Sequence, residues 1–379
     1  MPTTTHNELL HNVALSLVPQ IGPGNFKNIV SYSGSAHNFF NMTKGRASKI
    51  PGIGPKLLEL RSNKDTYLRE AEKTIREAND NGIQIHSYLE DTYPQRLKSL
   101  PDSPVIIFSK GNIDLNPSKT IGIVGTRNAT AYGKAVTKKI LEDLAPYSPT
   151  VISGLAYGID IEAHRAALQF DLPTLAVLGS DLKKIYPASH KRTAEQMMEN
   201  GGLISEYRLG AALNASNFPQ RNRIIAGMSD ALIVVEAAER GGALITAEIA
   251  YSYNREVFAV PGNLQSTYSE GCNNLIRSMK AGIYIGAREI EEALSWNKEG
   301  GNPKADKKVF DTSGLDPVEK QIIEVLSKAN EIEIDRLSWE TNLPISVLAG
   351  KLLSLEFSGI IKALPGKKYR WQPDKRTFI

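Results

Sequence analysis

The segment Asn217-Phe-Pro-Gln-Arg-Asn-Arg-Ile-Ile-Ala-Gly227 runs, after a short gap, into Ala231-Leu-Ile-Val-Val-Glu236. The second stretch is a continuous apolar run of the length expected for a fully buried strand. The first sets Phe218, Arg221, Asn222 and Arg223 just upstream of it. Long charged side chains are normally solvated, yet these are framed by Phe218, Pro219 and Ile224-Ile225-Ala226. One arginine alone reads as a surface residue of a helix. The whole segment, with the neighbours described below, reads as an anion-binding pocket. Phe218 carries two readings: a ring that stacks on a base, or a core residue packed on Ile224. Pro219 predicts an extended backbone at Phe218, projecting it into a cleft. Asn222 either bonds a base edge or caps the next helix.

Around this segment, from about residue 84 to Trp296, short apolar runs alternate with helical patterns. Strands are expected at Thr120–Val124, Thr150–Ser153, Thr174–Leu178, Leu203–Ser205, Ala231–Glu236, Glu256–Val260 and Ile283–Ile285. Helices are expected at Tyr132–Leu144, Ile159–Phe170, Ser189–Glu199 and Ala243–Asn254. Tyr93-Pro-Gln-Arg-Leu and Val105-Ile-Ile-Phe108 add a turn and a strand ahead of them. This alternation predicts a parallel sheet covered on both faces. In such sheets ligands sit beyond the carboxyl ends of the strands. Those ends carry Gly125-Thr-Arg127, Ser153-Gly-Leu-Ala-Tyr-Gly-Ile-Asp160, Gly179-Ser-Asp-Leu-Lys-Lys184, Arg240-Gly-Gly-Ala-Leu-Ile-Thr246, Pro261-Gly-Asn263 and Ser269-Glu-Gly-Cys-Asn-Asn274. Glycines at strand-to-helix turns admit close backbone approach, and helix N-termini favour anions. Arg127, Lys183, Lys184, Arg221, Arg223 and Arg240 add positive charge, so phosphate groups are the expected ligand.

The usual phosphate signatures are absent. Gly122-Ile-Val-Gly125-Thr-Arg127 does not continue into a dinucleotide fingerprint, and no Walker A loop occurs anywhere in the chain. The six histidines are scattered and Cys272 is alone, which leaves no metal-ligand spacing. Ser153 lacks the nucleophile-elbow context. His164 reads as structural, and Cys272 as an inert small residue.

The flanks differ in character. About Asn7 to Glu90 reads as small and helical, ending in a charged amphipathic helix over Asp65–Asn81. Val18-Pro-Gln-Ile-Gly-Pro-Gly24 rhymes with Ile50-Pro-Gly-Ile-Gly-Pro-Lys56. These pieces resemble the helix-hairpin-helix motif, whose turn amides hold a nucleic-acid phosphate. They read equally well as hairpins whose glycines merely cap helices. Beyond Trp296, Asn297–Asp311 is rich in Gly, Asn, Lys and Asp and reads as a linker. Domain boundaries are therefore expected at 1–83, 84–296, 297–315 (linker) and 316–379. In the last, helices near Ile322–Leu326, Ile334–Thr341 and Pro344–Phe357 precede a two-stranded ribbon over Ile360–Trp371, the pattern of a winged helix. Its candidate recognition helix offers only Lys351 as a basic residue, fewer than a major-groove reader presents. Lys367, Lys368 and Arg370 in the wing either touch phosphates or keep an edge hairpin soluble. A protein contact or an accessory DNA role is expected there.

Net charge is +4 over 379 residues, so nucleic-acid contact must come from a local patch. A single cysteine permits no internal disulfide. The polar start has no signal core, and no run is long enough to span a membrane. A cytoplasmic protein without membrane partners is expected.

Taken in order, Gly125-Thr-Arg127 with Tyr132-Gly133, Ser153–Asp160, Val177-Leu-Gly179 with Tyr186-Pro187, Ser205-Glu206, Phe218–Gly227, Val234–Ala237, Gly242–Ala247, Val257–Gly262 and Gly271 with Asn273 resemble the DNA-processing protein A family of bacteria. The resemblance covers the whole central domain, and the flanking helical and winged-helix domains also fit it. It implies a Rossmann-like α/β fold and a binding protein, not an enzyme. The implied ligand is single-stranded DNA entering the cell in natural transformation. The implied role is to protect that strand and load a RecA-type recombinase, as a homodimer through the central domain. The candidate DNA contacts are Arg127, Ser153, Gly154, Lys183, Lys184, Phe218, Arg221, Asn222, Arg223, Gly241, Gly242, Thr246, Asn263 and Asn273. No catalytic residue, metal or cofactor is expected. Departures from the family pattern stand at Asp181, His190, Arg208 and Gly241-Gly242; Asp181 would put an acid near the phosphate path and question the Lys183 loop. Gly241-Gly242, Thr246 and Glu248 also resemble, more weakly, the glycine-rich stretch of phosphoribohydrolases. That alternative is a nucleotide-processing enzyme with Glu236 or Glu248 as its carboxylate; a small-nucleotide sensor is a third reading.

Overall fold

In the computed structural model, residues 3–296, 315–329, 331–358, 360–364 and 367–371 are described. The expected linker, up to residue 314, lies outside them. The chain divides into two compact units, Met1–Glu299 and Gly300–Ile379.

The first unit is built on a nine-stranded sheet. In chain order its strands are β1 Gln84–Ser87, β2 Ile106–Lys110, β3 Thr120–Val124, β4 Thr150–Ser153, β5 Thr174–Leu178, β6 Gly201–Ser205, β7 Ala231–Val234, β8 Glu256–Ala259 and β9 Gly282–Ile283. Their spatial order is β1-β2-β6-β5-β4-β3-β7-β8-β9. Strands β3 to β9 pair in parallel, and β2 and β1 close one edge antiparallel. The sheet is therefore a parallel core with an antiparallel edge. β7 ends at Val234 rather than Glu236, because Glu236 leaves the ladder to cap a helix.

Alternation across the pleat sends side chains of one strand to opposite faces. Ile121 and Ile123 pack with Val151, Ile233 and the helix Ala131–Leu144, whereas Val124 packs with Ile152, Val177, Val234 and the helix Asn217–Met228. The N-terminal helices do not stand apart from this sheet. Their Leu15, Phe26, Phe39 and Ile75 share one apolar core with Ile106 and Phe108 of β2 and Ala176 and Leu178 of β5. Lys27 Nζ donates to Leu100 O at 2.7 Å, and Arg208 pairs with Glu70 at 3.1 Å across the same junction.

The two rhyming N-terminal pieces form matching turns. Gln20 and Gly52 take φ of 70° and 85°, the following Ile21 and Ile53 are buried, and Gly22-Pro23 and Gly54-Pro55 open helices with proline in the first turn. A Cβ at Gly52 would lie 2.7 Å from Asn25 Oδ1, so the second turn backs onto the first.

The second unit packs helices Pro317–Ala329, Ile334–Thr341 and Ile345–Phe357 around Ile322, Leu326, Leu337, Leu348, Leu352 and Leu355. Its sheet has three strands, not two: Glu331–Glu333 joins Ile361–Leu364 and Lys368–Trp371. A strand of three residues falls below what periodicity reveals. Lys351 is bound to Asp316 and lies 3.5 Å from Glu319, so the sole cation of the third helix is already neutralised.

His164 sits fully buried in the helix Ile159–Gln169, with Nδ1 2.7 Å from Thr174 Oγ1. Burial, reinforced by Arg221 and His190, holds its pKa at about 3. A histidine depressed in the fold contributes stability above its unfolded pKa and loses it as pH falls toward the folded value. Replacing His164 with Gln should therefore flatten the fall in unfolding free energy between about pH 6.5 and pH 4, by up to ~1.4 kcal/mol per pH unit. Urea melts of both proteins across that range measure the difference.

Candidate nucleic-acid interface

The strand order reverses between β4-β3 and β7-β8, which places a topological switch point between β3 and β7. A cleft of about 630 Å³ opens there, beyond the carboxyl ends of these strands. One wall is the turn after β3, Gly125 to Arg127. A second is the turn after β7, with Ala238 and Arg240, running into the helix Gly242–Ser252. The third is the first half of the helix Asn217–Met228.

That helix begins one residue before Phe218, which corrects the expectation of an extended Phe218. Pro219 falls in the first turn, where its missing N–H breaks no helical bond and its ring meets no preceding turn. Phe218 is half-buried and faces the cleft. Its ring lies 5.6 Å from that of Tyr186, at 49°, and backs onto Gly179, where a Cβ would sit 3.0 Å from Cδ1. Tyr186 is 53% exposed, so two aromatic rings share one rim of the cleft.

Successive residues of a helix turn by 100°, and the three residues after Gln220 go to three places. Arg221 enters the floor of the cleft and is only 4% exposed. Its Nη1 donates to Val177 O at 2.6 Å, and its guanidinium lies over Gly154, where a Cβ would meet Nη1 at 1.9 Å. Asp160 shares this floor. Its carboxyl is pushed up by burial and drawn back by Arg221 and by the amides of Ala156 and Gly154. Asn222 lines the cleft and its Nδ2 donates to Gly242 O at 3.3 Å. Arg223 turns away from the cleft and binds Glu206 at 2.5 Å, both side chains largely buried. Burial raises the Glu206 pKa and Arg223 opposes it. Arg223 is thus held in an internal ion pair outside the walls of the cleft.

The remaining candidates divide in the same way. Arg127 is exposed in the cleft wall, with no ion-pair partner among the described residues, and Gly241, Gly242 and Thr246 lie opposite. Thr246 Oγ1 donates to Gly242 O at 2.9 Å, and a Cβ at Gly241 would meet nothing. Outside the walls, Ser153 Oγ donates to Ile123 O at 2.6 Å and is fully buried. Asn273 clamps Gly262 through both its amide N–H and carbonyl, and Asn263 closes a local turn on Gln265 N. Lys183 and Lys184 are exposed beyond the cleft. Asp181 is no obstacle to anions: its carboxylate is buried and accepts the amides of Lys183, Lys184 and Gly210. Tyr186 and Arg240 complete the walls; the Tyr-Pro pair and the basic residue before Gly241-Gly242 were the signals for them in the sequence.

The two carboxylates of the enzyme alternative are both occupied elsewhere. Glu236 caps the helix Ala131–Leu144, accepting from Thr130 N at 2.9 Å and Thr130 Oγ1 at 2.5 Å. Its oxygen would strike a Cβ at Gly133, which explains that glycine. Glu248 is exposed on the outer side of its helix and binds Lys280 at 2.7 Å. Cys272 is buried, with its thiol pushed up to about 12. Among the described residues no cluster suited to a metal ion occurs, and no helix is long and apolar enough to cross a membrane.

The family model described as DNA recombination-mediator protein A matches residues 84–295, and that of the DprA winged helix domain matches residues 307–367. The chain is 38% identical over 279 residues to protein Smf of Escherichia coli K12, covering 72% of this chain and 74% of that one. It is 41% identical over 191 residues to DNA processing protein DprA of Streptococcus pneumoniae R6, covering 50% and 67%. The solved structure of DprA from Streptococcus pneumoniae matches with a TM-score of 0.64 at 30% identity, covering 77% of this chain and 98% of that one. DNA processing protein A from Helicobacter pylori, solved for its single-stranded DNA binding mode, matches with a TM-score of 0.51 at 27% identity over 56% and 98%. The fold, the switch-point cleft and these matches agree: the chain belongs to the DNA recombination-mediator protein A family.

Proposed function

We propose that the cleft between β3 and β7 binds single-stranded DNA. The observation that carries this reading is the pairing of the Phe218 and Tyr186 rings with exposed Arg127 and Arg240 around one cavity. An unpaired strand offers a free base face at each nucleotide and a phosphate beside it, which a duplex does not. Gly241 supports the same reading. Nothing in the chain crowds it, so the turn leaves the cleft open at this point. The single-stranded DNA binding mode described for the Helicobacter pylori relative adds to this.

The protein then acts as a binding mediator without turnover of its own, since the candidate carboxylates are engaged in a helix cap and a surface ion pair. It protects incoming DNA in natural transformation and helps load a RecA-type recombinase, working in the cytoplasm as a homodimer through the central domain. Residues 84–296 form the DNA-binding domain. The winged-helix-like domain after the linker contributes a protein contact or an accessory DNA contact, because Lys351 is neutralised and the only other charged residue of its helix is the acid Glu356.

Two experiments test this. Titrating labelled oligothymidylate at several salt concentrations should find that Phe218→Ala weakens binding about fivefold or more while Phe218→Trp retains it. Arg127→Ala should flatten the salt slope by about 0.7, the value for one phosphate of a single strand. Arg223→Ala should instead lower the melting temperature, at a cost of about 2 kcal/mol for the broken internal pair, and leave binding by the folded protein unchanged. Normal binding by both Phe218→Ala and Arg127→Ala removes the cleft from the proposal. Second, a chain ending at Trp296 should keep single-strand affinity to within about tenfold, or ~1.4 kcal/mol; a larger loss makes the C-terminal unit a main DNA contact.

A further inference from the structure

Arg127 belongs to the walls of two cavities. Beside the switch-point cleft lies a second one of about 650 Å³, between the turn after β3, the start of the helix Ala131–Leu144 and the loop that carries Tyr157 into the helix Ile159–Gln169. Two of the strand-end segments, Gly125–Arg127 and Ser153–Asp160, contribute Arg127, Tyr157 and Gly158 to it.

Its chemistry matches that of the cleft. Tyr157 is 50% exposed. Its ring meets the His190 ring edge-on at 4.9 Å, and its hydroxyl accepts from Ser189 Oγ at 3.3 Å. His190 is itself buried and pinned to Leu155 O at 2.8 Å. The tyrosine is therefore held in place while half of it is left to solvent. Lys134 is exposed in the same cavity, and neither it nor Arg127 has an ion-pair partner among the described residues. The one acid in the wall, Glu162, is bound by Arg165 at 3.0 Å. A rigid aromatic ring beside two uncompensated cations suits one nucleotide unit, with a base on the ring and its phosphate on the cations.

The backbone fixes this ring relative to the cleft. Gly158 takes a φ of 80°, and a Cβ there would lie 2.1 Å from Thr126 O. Ile159 N donates to the same carbonyl at 3.2 Å. The Tyr157 loop and the Arg127 turn are thus locked together.

We propose that the strand held in the cleft continues past Arg127 into this second cavity, where a base stacks on Tyr157 and its phosphate rests on Lys134. The proposal rests on the reading of the first cleft as a single-strand site. The test uses the full chain and labelled oligothymidylates of graded length. The shortest one that binds should bind wild type, Tyr157→Ala and Lys134→Ala alike. A long one should lose about tenfold in Tyr157→Ala, the order of one stacked base, and regain it in Tyr157→Phe. Lys134→Ala, an exposed substitution that leaves the fold intact, should reduce the salt slope for the long oligonucleotide by about 0.7 and leave that of the short one unchanged. Equal weakening of short and long oligonucleotides, or no weakening of either, overturns the second subsite. Failure of the first cleft reads differently: Phe218→Ala and Arg127→Ala would then bind even the shortest oligonucleotide normally.

Discussion

Arg221 carries a guanidinium into the floor of the cleft with almost no access to water, and much of the surrounding structure answers that charge. Val177 O takes one N–H, and Asp160 supplies the nearest opposite charge. Gly154 has no side chain because the guanidinium occupies the space. The amides of Ala156 and Gly154 in turn favour the Asp160 carboxylate. A buried charge stripped of one partner costs several kcal/mol, so these residues are bound to one another through the floor. The loop after β4 that takes part in this floor is also tied to the Arg127 turn, through Ile159 N and Thr126 O at 3.2 Å.

The helix Asn217–Met228 distributes its polar residues by angle. Arg221 goes to the floor, Asn222 to the rim and Arg223 to Glu206 on the far side. A segment that reads as one basic cluster is split in space by 100° per residue. The free positive charge of the cleft comes instead from Arg127 and Arg240, which stand on turns, where no helix or strand demands a neutralising neighbour. This division of labour fits a site that must stay folded when empty and yet offer charge to a phosphate chain.

In the second unit the same physics leads elsewhere. The helix Ile345–Phe357 buries Leu348, Leu352 and Leu355 and exposes Ile345, Leu353 and Phe357. Lys351 turns back to Asp316. A helix with this outer face has little to offer a phosphate backbone, whose binding depends on Lys and Arg contacts.

The sequence by itself determined the strands of the parallel core, since strands buried on both faces must be uninterrupted apolar runs, and four of its helices, but not the helix Asn217–Met228, whose Pro219 read as a break. It also pointed to the carboxyl ends of those strands as the place of a cavity, since glycines and basic residues collect there. Arg127, Phe218, Arg221, Asn222, Gly241, Gly242 and Thr246 converge on one cavity accordingly. The strand β2 was legible at Val105–Phe108, but its partner β1 and the antiparallel pairing of this edge were not, because four residues with little alternation leave no period to read. The sequence did not reveal which of the polar candidates face the cleft. Ser153, Asn263 and Asn273 satisfy backbone groups, and Arg223 meets Glu206, a residue seventeen positions away in the chain. Only the tertiary structure decided these, because a hydrogen bond or ion pair between segments depends on where the fold brings each partner, and residue type alone is the same for a ligand contact and for an internal clamp.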